Sequence, residues 1–365
     1  MDSAGRPSRC VPVSLTAGLV GCLLCGALVA LAGCGAPVAR VWQQPEPPKV
    51  RQRDPRVATA QQNALAHPSS VRYTNELAWA YLQAGEPLPA QAKFQESLSV
   101  DRRNVEALLG LGAVAQEAGD FATAIAWHER ALELEQDSVP AHSSLGELYL
   151  RANDPLRAAQ EFRRAADLAP DEIGPLLGLS EAYRLAGRLE EAAAACREAI
   201  RLAPTSAFPA VNYGAVLEAE GDMAGAEAQY RRAIKLDPRS GAGQNNLAYL
   251  YAKQRRQLDE ALALAQQALA AYPDEPSFLD TLGLVLYARG QPEAAAQALE
   301  RAKQGRQWSP TIRYHLGLAY HATGHDERAI AELRQSLALS PQGEHAGEAK
   351  ALLRRLASDV LGPGT

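Results

Sequence analysis

The chain divides into a long apolar run, a proline-rich polar stretch and a repeating pattern of small and apolar positions. The apolar run spans Cys10 to Gly33 and comes after two cations, Arg6 and Arg9. A charged start before an apolar segment is the layout of an export signal, which assigns residues 1–33 to a signal peptide. Residues 34–56 carry prolines and no apolar period. That composition predicts a partly extended linker with a reach on the order of tens of Å. Residues 57–70 predict a short N-terminal helix that acts as a cap. From Val71 the pattern repeats every 34 residues, with units starting at Val71, Val105, Val139, Ile173, Ala207, Gly241, Pro276 and Pro310. The repeats fill residues 71–343, and residues 344–365 read as a capping helix and tail. The unit from Gly241 carries one extra residue near Gln257.

Four positions carry the period. The twentieth is alanine in all eight units: Ala90, Ala124, Ala158, Ala192, Ala226, Ala261, Ala295 and Ala329. The eighth is Ala78, Gly112, Gly146, Ser180, Gly214, Ala248, Gly283 and Gly317, always small. The twenty-seventh is alanine or serine throughout. Small side chains at fixed spacing let two helices approach closely, and larger ones would force them apart. The fourth is a turn position: Gly85, Gly119, Asn153, Gly187, Gly221, Gly290 and Gly324. Glycine adopts the left-handed conformation that ends helices, and asparagine tolerates it. Pro170, Pro204, Pro238, Pro273 and Pro341 mark the ends of second helices. Proline is missing at Arg102, Gln136 and Gln307, which predicts looser boundaries there. Each unit is thus a helix, a tight turn and a second helix, and the fold class is all-α.

This pattern resembles the tetratricopeptide repeat family over residues 71–343. The resemblance implies a right-handed superhelical solenoid of eight helix–turn–helix repeats, its groove lined by first helices, with a C-terminal capping helix. It also implies a binding surface for other proteins or extended peptide segments. In the family the second, fifth, sixth, ninth, twelfth and thirteenth positions line the groove. Carried over, they give Asn75, Trp79, Leu109, Glu147, Glu181 and Arg184 in the early units. The later units give Asn212, Asn245, Asn246, Tyr249, Asp280, Tyr287, Tyr314 and His321. The later half gathers amides and aromatics, which suit peptide recognition. Asn212 and Asn246, both sixth positions, resemble two rungs of the asparagine ladder of O-GlcNAc transferases. Ser144, Gly178, Thr281 and His315 stand at the other rungs. The lysine and asparagine of the chaperone-type carboxylate clamp are absent.

Leu31-Ala32-Gly33-Cys34 resembles a bacterial lipobox, which implies a lipid on Cys34 and a membrane tether. Gly35 in place of aspartate points to the outer membrane, facing the periplasm; an uncleaved span in the inner membrane is the alternative. Cys10, Cys22 and Cys25 would leave with the signal. Cys196 holds a packing position and reads as a buried thiol. His315, His321 and His325 lack the cysteine or carboxylate company of a metal site and read as solvated surface residues. The net charge of −5 and the lack of a basic stripe argue against nucleic acid. No phosphate loop, nucleophile elbow or segment large enough for a catalytic domain is present, so the chain reads as a non-enzymatic scaffold without cofactors. Asn246-Leu-Ala-Tyr-Leu-Tyr, Leu279-Asp-Thr-Leu-Gly, Ile312-Arg-Tyr-His-Leu and Ala349-Lys-Ala-Leu-Leu-Arg-Arg-Leu resemble the last part of exosortase-associated repeat lipoproteins linked to exopolysaccharide export. Asn212-Tyr-Gly more weakly resembles type IV pilus biogenesis lipoproteins. An adaptor for peptidoglycan or glycosyl-transfer enzymes is a further reading.

Overall fold

A computed structural model of the protein describes residues 54–361, with side chains through Leu356. The apolar run, Cys34 and the linker up to residue 53 lie outside the described residues. Among the described residues no helix is long and apolar enough to cross a membrane. They form eighteen α-helices in two compact units, the first ending at Leu134 and the second beginning at Glu135.

The first unit holds α1 (Pro55–Ala66), α2 (Val71–Gln83), α3 (Pro87–Val100), α4 (Val105–Glu117) and α5 (Phe121–Leu134). The second opens with α6 (Val139–Arg151), α7 (Pro155–Leu168), α8 (Ile173–Leu185), α9 (Leu189–Leu202), α10 (Phe208–Glu220) and α11 (Met223–Leu236). It continues with α12 (Gly241–Lys253), α13 (Leu258–Ala271), α14 (Pro276–Ala288), α15 (Pro292–Gly305), α16 (Pro310–Ala322), α17 (Asp326–Leu339) and α18 (Ala346–Leu361). From α2 to α17 these are eight hairpins. Every first helix has 13 residues and every second helix 14.

Turn chemistry explains that constancy. Six turn glycines have φ between 73° and 86°, and Asn153 takes φ 58° in the same place. The next residue's N–H returns to the carbonyl five residues back, as in Glu86 to Tyr81 at 2.9 Å and Asp154 to Tyr149 at 2.8 Å. This Schellman closure satisfies carbonyls that the helix end leaves open. In the unit with the extra residue, Arg255 takes the glycine's place at φ 52° and Gln257 adds a second left-handed residue at φ 49°. Arg256 still closes onto Tyr251 at 3.1 Å, so the insertion is absorbed between turn and helix.

Two expectations need correction. The missing prolines do not loosen any boundary: α3, α5 and α15 end at Val100, Leu134 and Gly305, the same repeat position at which the proline-marked helices stop. Proline stands two residues beyond the helix, and the ending is already made by the cap N–H, such as Asp101 to Ser97. The fifth unit starts its helix at Phe208 rather than Ala207, with Pro209 in its first turn.

The small positions are where hairpins close. All eight twentieth-position alanines are fully buried. The eighth position faces the bulky residue of the second helix. A Cβ on Gly112 would lie 2.5 Å from the His128 ring, one on Gly214 2.4 Å from Tyr230, and one on Gly283 2.4 Å from Leu299. At these three glycines a side chain would require the facing residue to shift. Within the second unit, each second helix packs on the first helix of the next hairpin. The first helices α6, α8, α10, α12, α14 and α16 also touch in sequence, forming a row along one face. The capping helix docks on α17 and buries Ala349, Leu352 and Leu356 in the last core cluster. It begins at Ala346, two residues later than its predicted start.

Candidate peptide-binding face

The row of first helices in the second unit carries most of the predicted residues. Repeat register sets which ones share a face. Asn212 on α10 and Asn246 on α12 occupy the same position of adjacent hairpins and are half-buried. The Asn212 amide points towards the Leu177 carbonyl at 3.4 Å and Ser180 Oγ at 3.5 Å, both long contacts. Asn246 receives a long hydrogen bond of 3.4 Å from Asn245, which is buried. It also lies within hydrogen-bonding reach of Tyr230.

The glycines at this position, Gly110 and Gly178, have a steric explanation. The sixth position meets the twenty-fourth residue of the preceding hairpin. Where that residue is phenylalanine, a side chain has no room: a Cβ on Gly110 would lie 2.2 Å from Phe94, and one on Gly178 2.4 Å from Phe162. The amides stand only where Cys196 and Tyr230 replace phenylalanine.

One turn along α12, and on the next two first helices, Tyr249, Tyr287 and Tyr314 converge on a hollow of about 240 Å³. Leu284, Leu318, Lys253, Arg255 and His315 also line it. Lys253 Nζ lies 5.6 Å from the Tyr249 ring centre, and the Arg255 guanidinium 6.0 Å from that of Tyr287. Tyr314 is buried, and burial pushes its hydroxyl up to about 12. Burial raises the Tyr249 hydroxyl as well. The Tyr249 and Tyr314 rings are therefore neutral hydrogen-bonding surfaces at any physiological pH.

Other predicted residues lie elsewhere. Asn75 is buried on α2, its amide donating to Asn104 Oδ1 at 3.1 Å and Glu106 Oε2 at 3.0 Å. Trp79 packs edge-on to Phe94 and lines a separate hollow of about 540 Å³ between α1 and α2. Asp280 is buried and pairs with His315 Nδ1 at 2.8 Å. The surface reading of His315 is thereby overturned: a neighbouring carboxylate supplies the partner that lets an imidazole be buried. His321 is half-exposed and pairs with Asp326 at 2.7 Å. His325 hydrogen-bonds Thr323. No three metal-ligating side chains cluster among the described residues. Cys196 is fully buried, and burial pushes its thiol up to about 11, so it holds no thiolate for chemistry.

Sequence reasoning passed over Glu218 and Lys253, although they stand at twelfth and thirteenth positions, which the family pattern aims at the groove. Lys253 lies 3.8 Å from Glu218 and 3.2 Å from Glu344. Glu344 and His345 lie beyond the last repeat, where the period carries no signal. Chemically, the face offers amides, three tyrosine rings and one lysine amid carboxylates. It is suited to holding a peptide.

The tetratricopeptide repeat model matches residues 75–139, 129–173, 143–207 and 214–276, more than half of the chain. A model described as anaphase-promoting complex, cyclosome, subunit 3 matches residues 254–336. Among curated proteins no relative matches this chain. A solved structure of the APC/C hetero-tetramer Cut9–Hcn1 aligns with TM-score 0.56 at 18% identity, covering 83% of this chain and 58% of the matched one. The chain thus spans less than two thirds of that relative. A tetratricopeptide repeat protein from Parabacteroides merdae ATCC 43184 aligns with TM-score 0.59 at 15% identity, covering 68% of this chain and 98% of the other. At these identities the likeness is one of fold.

Proposed function

Because the chain belongs to the tetratricopeptide repeat family, we propose that it is a non-enzymatic scaffold that grips an extended segment of a partner protein on the first-helix face of α10 to α16. The observation that carries this reading is the convergence of Tyr249, Tyr287 and Tyr314 on one hollow, beside the half-buried amides of Asn212 and Asn246. An amide offers both donor and acceptor to a peptide unit, and tyrosine gives a large contact area at low entropic cost. Replacing Asn212 and Asn246 together by alanine is expected to weaken partner capture about tenfold or more while helicity by circular dichroism is unchanged, given roughly 1 kcal/mol for each lost hydrogen bond. Undiminished capture would reject the face.

The tether belongs to the same proposal. Cys34 carries a lipid that anchors the protein to a bacterial cell envelope, at the periplasmic face of the outer membrane. From there the scaffold supports assembly of a secretion or exopolysaccharide export system. The likeness of the C-terminal strings to exosortase-associated lipoproteins supports that pathway over pilus biogenesis. Cys34→Ala is expected to abolish palmitate labelling and release the protein from membranes. Labelling that persists in the variant would refute the anchor.

A further inference from the structure

The hollow between α12, α14 and α16 is walled on one side by the protein's own chain. After α17 ends at Leu339, the connection to α18 runs back towards the first helices. Glu344 reaches Lys253, 91 residues earlier, at 3.2 Å. One residue on, His345 lies flat on Tyr314, ring centres 4.4 Å apart and planes 9° from parallel.

This contact is built like a binding event rather than like core packing. The Glu344 side chain is 61% exposed, and exposed ion pairs contribute little to stability. His345 Nε2 is buried without a partner, which costs free energy. Burial, with the neighbouring His315 ring 5.3 Å away, pushes the His345 pKa down. The capping helix needs neither side chain, because it is held by Ala349, Leu352 and Leu356.

We propose that Lys253 and the Tyr314 ring, at the wall of the hollow, form a subsite for a partner peptide bearing an acidic side chain followed by a planar aromatic one, and that Glu344 and His345 cover this subsite in the free protein. This rests on the first-helix face being the peptide grip and specifies its ligand. Lys253 supplies the charged donor for the carboxylate, and Tyr314 the stacking surface for the ring. A phenyl ring in place of His345 makes the same stack without burying an unpaired ring nitrogen. A partner with this pair therefore displaces an occupant of the same design but poorer fit. The apparent affinity for that partner scales with the fraction of molecules in which Lys253 and Tyr314 are uncovered.

The test uses the full chain in detergent and a fluorescein-labelled peptide, Gly-Glu-Phe-Ala-Gly, read by anisotropy. The Glu344→Ala, His345→Ala double variant is expected to bind it about tenfold tighter than the parent, as removal of a mostly populated competitor requires. Adding Lys253→Ala should abolish the gain, and a peptide with glutamine for glutamate should bind more weakly to the double variant. Circular dichroism of each variant reports that the helices persist. Equal affinity of parent and double variant overturns self-occupation. Absent binding to the double variant, or binding indifferent to Lys253, overturns the subsite. If it falls while the Asn212, Asn246 pair still governs partner capture, the scaffold reading stands and only the ligand assignment is lost.

Discussion

The junctions after Phe94 and Phe162 differ from those after Cys196 and Tyr230. In the first kind, a phenyl ring fills the interval between hairpins and the next first helix must present glycine, at Gly110 and Gly178. In the second, the ring is replaced by the small Cys196 or by Tyr230, whose hydroxyl bonds Glu218, and Asn212 and Asn246 stand there. One repeat position thus does two jobs. It is a contact site under a phenylalanine and a candidate recognition site where the phenylalanine is lost. Loss of the phenylalanine plug permits an amide without dictating one, since Leu299 at the same position is followed by His315.

Exchanging residues between the two kinds should break this pattern. Gly178→Asn is expected to have the largest effect, a loss of about 3 kcal/mol in thermal or urea unfolding, because the new Cβ has no room beside Phe162. Combining it with Phe162→Cys should recover part of that loss, as a double-mutant cycle would report.

His128 is an intermediate case: a polar residue at the plug position with neither ring nitrogen partnered. Burial lowers its pKa from 6.5 to about 4. The folded state therefore refuses a proton that the unfolded chain accepts. Stability is undiminished above pH 6.5 and falls as the pH drops towards 4, by up to about 3 kcal/mol. His128→Phe should remove this acid-side slope, as urea unfolding across pH would report. An unaltered slope in the variant would mean that the ring is not the proton-refusing group. The smallest change is Asn212→Gly, expected to cost about 1 kcal/mol through the helix-interior glycine alone. A much larger loss would show that Asn212 is a packing residue.

Much of the fold was legible in the sequence. Small residues and left-handed turns are local requirements, so Ala90 and its repeats, and Gly85 and its repeats, announce the hairpins directly. Asn153 was readable for the same reason. Proline misled because it marks a place where a helix has already stopped. The candidate site was less legible. Register puts Tyr249, Tyr287 and Tyr314 on first helices, and the structure brings them to one hollow. Burial of Asn75 and the pairing of Asp280 with His315 depend on which polar groups the neighbouring helices supply, and a single unit does not encode that. Glu344 and His345 were invisible because they lie outside the period, in a connection whose path is set by where the capping helix docks.

The odd residue at Gln257 separates α12 from α14, and yet Tyr249 and Tyr287 on those two helices meet across one hollow. Such an array keeps time by hairpins and not by residues. An error in the count is forgiven at the next turn, because each hairpin docks only on its neighbours. Chain length at a turn is therefore uncoupled from the spacing of the face that the first helices present.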